Sequence, residues 1–383
     1  MTSTPHTDVV CLGESMVTFL PSRPGRLADV PSFERAIGGA ESNVACALAR
    51  TGHTARWLSR VGTDGFGDHL LRGIAEHGVD VTAVGRDPHR PTGIYFRTEG
   101  ERATTLEADD DPEPVAEVAY YRAGSAASAM SPGTVSLDDA DSGRMLHLSG
   151  ITAALSADCL ALLRRLLAPR AGRPLVSFDV NYRVGLWQRT DAGPEVLLDL
   201  ARGADLVFVG LDEAEAAWGV TGGAAAVRAA LPEPAVLVVK DGSTGATAWA
   251  RGPEGTDEEV TVPALRVDVV TPVGAGDAFA AGFLSATLRG LPLADRLRHG
   301  HLTAAAALTE PGDVAEPPAR ALADRLAALP APDWTALRLG PGWTAGDAGT
   351  SGAAPGSPDP AGETVSSGEP GVSGQTATNA SAP

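Results

Sequence analysis

The sequence predicts an α/β protein: a doubly wound, mostly parallel sheet covered by helices on both faces, with a small β layer laid over it. Two observations predict this, and a third marks where the domain ends. After residue 145, short apolar runs alternate with helical stretches, the rhythm of a parallel sheet with crossover helices. Two earlier segments, 14–34 and 92–122, carry strand-like stretches with no helix between them. Beyond Gly340 the chain is Gly, Ser, Ala, Pro and Thr, without apolar period and without Lys or Arg after Arg338. Such a segment buries too little surface to offset its ordering entropy, so 340–383 is expected to be a disordered tail.

Taken in order, DVVCLG at 8–13 reads as a buried strand ending in glycine. The pair Gly38-Gly39 opens an Ala-rich helix over 41–50. Residues 54–60 form another strand, and VGTDGFGDHL leads into a helix that runs to about Glu76. TGIYFRTEG, ERATTLEA and AEVAYYRAG are the strands of the small sheet. DDDPEP at 110–115 reads as a solvated acidic loop, because its carboxylates lack the spacing and glycine of a calcium loop. Then follow MLHLSG with a helix over 156–168, PLVSFDVN with 194–202, DLVFVG with 212–218, and AVLVVK with strands near 246–250 and 260–268. Helices over 276–289, 293–308 and 317–328 close the core.

Composition narrows the function. A net charge of −18 over 383 residues argues against nucleic acid as a partner, although a few local arginines still build a positive site for a small anion. Arginine occurs 29 times and lysine once, at Lys240. Cys11, Cys46 and Cys159 are scattered without metal spacing and read as reduced thiols. No signal peptide or membrane span is predicted, so the expected location is cytoplasmic. There is no GxGxxG after the first strand and no GxxxxGK[ST], which argues against a dinucleotide fold and a P-loop enzyme.

The segment that carries chemistry is TPVGAGDAFAAGF at 271–283. Its glycines allow a tight turn into a helix whose first amides point outward, a place for the charge on a transferring phosphoryl group. Asp277 sits at that same turn, in reach of a substrate hydroxyl. On this segment alone, a capped helix whose Asp satisfies backbone amides reads equally well.

Together with GGAESNVACALARTG at 38–52 and VGTDGFGDHL at 61–70, this segment resembles the ribokinase-like, or phosphofructokinase-B type, carbohydrate kinases over roughly residues 8–330. The resemblance implies a kinase domain over 8–335, in which segments 14–34 and 92–122 form a lid. It implies ATP and Mg²⁺, Asp277 as the catalytic base, and Gly274, Ala275 and Gly276 as the anion hole. Gly39 and Asn43 would face the sugar. GIYF, YYRAGSAAS, LHLSGIT and DVNYRVGLW are similar to the 2-keto-3-deoxygluconate kinase branch. That likeness implies phosphorylation of the primary hydroxyl of 2-keto-3-deoxygluconate to the 6-phosphate. Arg122 and Arg183 would meet the sugar acid, with Tyr95 and Tyr121 (or Tyr120) beside it. A neutral sugar such as fructose or ribose, or a sugar-sensing protein with impaired turnover, remains an alternative.

VVKDGSTGATAW suggests Lys240, Gly242 and Gly245 for the nucleotide, although a turn between two strands explains the same residues. Two positions depart from the family pattern: Thr271 where an Asp is usual, and Gly210 where an Asn is usual. Glu213 remains to reach Mg²⁺ through water. A homo-oligomer, formed through the lid, is expected from the resemblance.

Overall fold

The structure is a computed structural model that describes residues 7–98, 117–312 and 314–345. The expected strand ERATTLEA, the acidic DDDPEP segment and the tail beyond residue 345 lie outside those residues.

The chain enters the large sheet through β1 (Thr7–Leu12) and leaves it at once for the lid strands β2 (Met16–Pro21) and β3 (Phe33–Gly38). It returns through the helix Ala40–Arg50 to β4 (Ala55–Leu58). A short ribbon, β5 (Arg60–Gly62) with β6 (Gly85–Asp87), flanks the helix Gly65–Glu76. The lid is completed by β7 (Ile94–Arg97) and β8 (Val118–Tyr121). The large sheet then adds β9 (Gly143–Ser149), β10 (Leu175–Asp179), β11 (Leu206–Gly210), β12 (Val236–Asp241), β13 (Gly245–Arg251) and β14 (Asp257–Pro263).

The large sheet has eight strands in the order β14-β13-β12-β11-β10-β9-β1-β4, and the lid has four in the order β3-β2-β7-β8. All pairs from β4 to β12 are parallel, while β13 and β14 form an antiparallel edge. The order turns back at β1, whose neighbours are β4 and β9. In open sheets of this kind ligands bind at such a switch point, outside the carboxyl ends of the strands.

Alternation along the strands divides the apolar residues between two cores. Val9 and Cys11 join Leu206, Phe208 and Val238 under the helices Ala40–Arg50, Ala275–Leu288 and Leu293–Leu308. Val10 and Leu12 join Val207, Val209, Leu237 and Val239 on the other face, under Ala157–Leu167, Glu195–Arg202 and Leu211–Trp218. Strands such as β1 and β11 are thus apolar on both sides and read as continuous apolar runs.

The helix Ala275–Leu288 lies unusually close to its neighbour Leu293–Leu308. A Cβ at Gly282 would come within 2.3 Å of the His299 carbonyl oxygen, and one at Gly300 within 2.9 Å of the Phe279 ring. Small residues at the crossing let the two helices approach this closely.

Two boundaries differ from the sequence expectation. The first lid segment runs on to Gly38, because β3 pairs with β2 along its whole length. The ordered domain continues past 335 and 340: Arg338–Leu339 pairs with Arg266–Val267, and Trp343 rests against the core. One tryptophan and one leucine supply apolar burial that the surrounding glycines conceal in a compositional reading. All three cysteines are free and buried, as expected of scattered thiols. Among the described residues no helix is long and apolar enough to cross a membrane.

Candidate active site

The site is built where the helix Ala275–Leu288 begins. Gly274 takes a left-handed conformation, φ 78°, which only glycine adopts freely. The first intrahelical bond is donated by Ala278 N–H to Gly274 O at 2.9 Å. The amides of Ala275, Gly276 and Asp277 therefore precede the helical ladder, with the helix dipole behind them.

Asp277 is half-buried in the first turn. Asn43 Nδ2, on the helix that follows Gly39, donates to Asp277 Oδ2 at 2.9 Å. Burial pushes the Asp277 carboxyl up to about 7, with the Asp179 carboxylate adding to the rise. Asn43, Arg183 and Lys240 act in the opposite direction. A carboxylate poised near neutrality is matched to taking a proton from a hydroxyl.

Beside this turn the carboxyl ends of β10, β11 and β12 deliver a charged cluster. Lys240 Nζ lies 3.3 Å from both carboxylate oxygens of the buried Asp179. A Cβ built on Gly276 would fall 3.8 Å from the same nitrogen, so the ammonium borders the amide turn. Burial works against the Lys240 charge, but Asp179, Glu213 and Asp277 outweigh it and raise its pKa. Glu213 Oε2 accepts from Gly210 N–H at 2.7 Å, and its Oε1 lies 3.7 Å from Arg183 Nη1. The Glu213 carboxyl is raised, chiefly by burial.

At the lid side, Tyr95 is buried and stacks on Tyr120 with ring centroids 5.4 Å apart. The Arg122 guanidinium carbon lies 5.7 Å from the Tyr120 ring centroid, and Arg122 Nη2 is ion-paired with Glu14 Oε2. Tyr121 does not share this face. It is 65% exposed and stands edge-on to Phe96 on the opposite side of the lid. Adjacent strand residues point to opposite faces, so Tyr120 rather than Tyr121 accompanies Tyr95.

Other expected residues are also placed by the backbone. Gly39 lies so close to the first crossover that a Cβ there would meet the Glu14 carbonyl oxygen at 2.5 Å. Arg183 stands with Glu213 and bears on Asp277. Gly242 is exposed in the β12–β13 hairpin, φ 49°. A Cβ at Gly245 would strike the Val262 carbonyl oxygen at 2.4 Å. The hairpin therefore accounts for both glycines, whereas Lys240 reaches the Gly276 turn.

Sequence reasoning singled out neither Asp179 nor Glu14 as site residues. The available signal was a lone acidic residue at the carboxyl end of an apolar strand, where a buried charge needs a reason.

The cluster offers no preformed metal cage. Among the described residues no three His, Cys, Asp or Glu side chains converge on one point, and both oxygens of Glu213 already face donors.

The pattern of the pfkB family carbohydrate kinases is matched by residues 6–320. A 2-dehydro-3-deoxygluconokinase of Bacillus subtilis is 35% identical over 317 residues, 82% of this chain and 93% of that one. A 2-dehydro-3-deoxygluconokinase of Thermoproteus tenax is 32% identical over 287 residues, 74% of this chain and 82% of that one. The crystal structure of a PfkB protein from Polaromonas superposes with a TM-score of 0.68 at 34% identity, covering 83% of this chain and 99% of that one.

Proposed function

Since the chain belongs to the pfkB family of carbohydrate kinases, we propose that it transfers the γ-phosphoryl group of ATP to the primary hydroxyl of 2-keto-3-deoxygluconate. The product is 2-keto-3-deoxy-6-phosphogluconate. The observation that carries the chemistry is Asp277 held by Asn43 at the mouth of the Gly274–Gly276 turn, with its pKa near 7.

In this reading Asp277 accepts the hydroxyl proton as that oxygen attacks the γ-phosphorus. The amides of Ala275 and Gly276 face the charge that grows on the transferring group, and Lys240 adds a positive charge at the same place. Mg²⁺, carried by the donor's phosphates, would neutralise charge there, with Glu213 in reach of its waters. Arg183, next to Glu213 and Asp277, suits the moving phosphate. Arg122 suits the acid end of the sugar, between Tyr120 and Glu14.

The sugar-acid reading is supported by the names of the two relatives and by the burial of Arg122, only 12% exposed in its side chain. The experiment is ATP- and Mg²⁺-dependent phosphorylation of 2-keto-3-deoxygluconate beside fructose and ribose, with Asp277→Asn as control. Turnover of the sugar acid alone, abolished in the control, supports the reading. Preference for fructose or ribose overturns the substrate. Ligand-induced thermal stabilisation with no turnover on any of the three overturns the enzyme and points to Thr271.

A further inference from the structure

Four passages of chain connect the lid to the large domain, and all of them meet at Glu14. The first is the β1–β2 crossing that contains Glu14 itself. The second is the β3 exit. There Ser15 Oγ donates to Gly38 O at 3.2 Å, Ser42 Oγ donates to Ser15 Oγ at 3.0 Å, and Gly39 lies against the Glu14 carbonyl. The third is the approach to β7, where a Cβ on Gly93 would come 3.0 Å from Glu14 Oε1 and Gly93 O accepts from Val17 N–H at 3.2 Å. The fourth is the return from β8, where Ser125 Oγ donates to Glu14 Oε1 at 2.6 Å and Arg122 pairs with Oε2.

Glu14 has no exposed side-chain surface. Its Oε1 accepts from Ser125, and its Oε2 is ion-paired with Arg122 without a hydrogen bond among the described residues. A carboxylate buried this completely is stable only when paired. Arg122 is the more adaptable partner, because its planar fork has five donors. Its Nε, although buried, finds no partner among the described residues.

We propose that Glu14 is a positioning residue for substrate recognition, holding the Arg122 guanidinium in the orientation that receives the carboxylate of the sugar acid. This rests on the sugar-acid reading above. Glu14 does not touch the substrate; it sets the direction of the fork and links that direction to the point where the lid joins the large domain. A neutral sugar would not sense the change.

The test is a double-mutant cycle between Glu14→Gln and Arg122→Ala, read by KM, kcat and Tm. Glu14→Gln keeps shape and one acceptor, and is expected to raise KM for the sugar acid roughly tenfold or more with kcat much less affected. In the Arg122→Ala background the same change should leave KM unaltered, because the group it orients is gone. Glu14→Asp, which keeps the charge with a shorter reach, should lie between Gln and the parent.

A second readout needs no turnover. Arg122→Ala leaves a lone buried carboxylate and should lower Tm, and adding Glu14→Gln should recover part of that loss. Equal KM effects of Glu14→Gln in both backgrounds, or a lowered Tm with unchanged KM, would overturn the proposal and leave Glu14 a structural residue. Failure of the parent enzyme to phosphorylate the sugar acid is a different result, and overturns the substrate reading on which this one stands.

Discussion

Lys240 places its ammonium 3.3 Å from both oxygens of the Asp179 carboxylate. This is the only lysine in a chain with 29 arginines. A compact ammonium on a flexible stem moves between partners more easily than a guanidinium locked in a bidentate fork. Asp179 is its partner, the Gly276 turn lies beside it, and in the proposed reaction its charge serves the transferring phosphoryl group. Lys240→Met is expected to lower kcat by about 10² to 10³-fold, the usual loss for one charge-stabilising donor. It also strands Asp179, so Tm should fall; Lys240→Met with Asp179→Asn should recover Tm but not kcat.

Asp277→Asn should lower turnover by about 10² to 10⁴-fold, as loss of a general base does. Its effect on stability has a sign of its own. The folded carboxyl is raised from 3.8 to about 7, so between those values the unfolded chain releases a proton that the folded chain keeps. Stability then falls as pH rises through that window. The Asn variant escapes this loss and should melt above the parent at pH 8, and level with it below pH 4, in thermal scans across pH.

Asn43 stabilises the charged form of Asp277 by donating to Oδ2. Asn43→Leu removes that bond, and the carboxyl should rise further above about 7. The acid limb of kcat/KM against pH should therefore shift to higher pH. A profile that only drops in height, with its limb in place, would count against this role.

Arg183 and Arg122 should separate kinetically. Arg183 bears on Glu213 and Asp277, so Arg183→Ala should act mainly on kcat and on KM for ATP. Arg122→Ala should act mainly on KM for the sugar acid. Initial-rate measurements on both substrates check this, and a shared effect on sugar KM alone would place both arginines on the acid.

Gly282→Ala tests how the catalytic helix is seated. Its Cβ would meet the His299 carbonyl at 2.3 Å and Thr303 Oγ1 at 2.4 Å. Overpacking of this kind costs about 1–3 kcal/mol, visible as a lower urea midpoint. Because the same helix carries Asp277, kcat should fall with it.

The sequence by itself determined the sheet and the reacting turn. Residues such as Leu206–Gly210 are apolar on both faces, and the Gly274–Asp277 segment encodes a left-handed turn before a helix. Both are local facts, fixed by side-chain period and by the absence of a Cβ. Tertiary structure alone decided which polar side chains meet. Asn43 and Asp277 are 234 residues apart, Lys240 and Asp179 are 61 apart, and Glu14 and Ser125 are 111 apart. No period along the chain relates such pairs, because each is set by strand order and register. The same holds for Tyr120 and Tyr121, adjacent and identical in type: only the pairing of β8 with β7 decided which one shares a face with Tyr95.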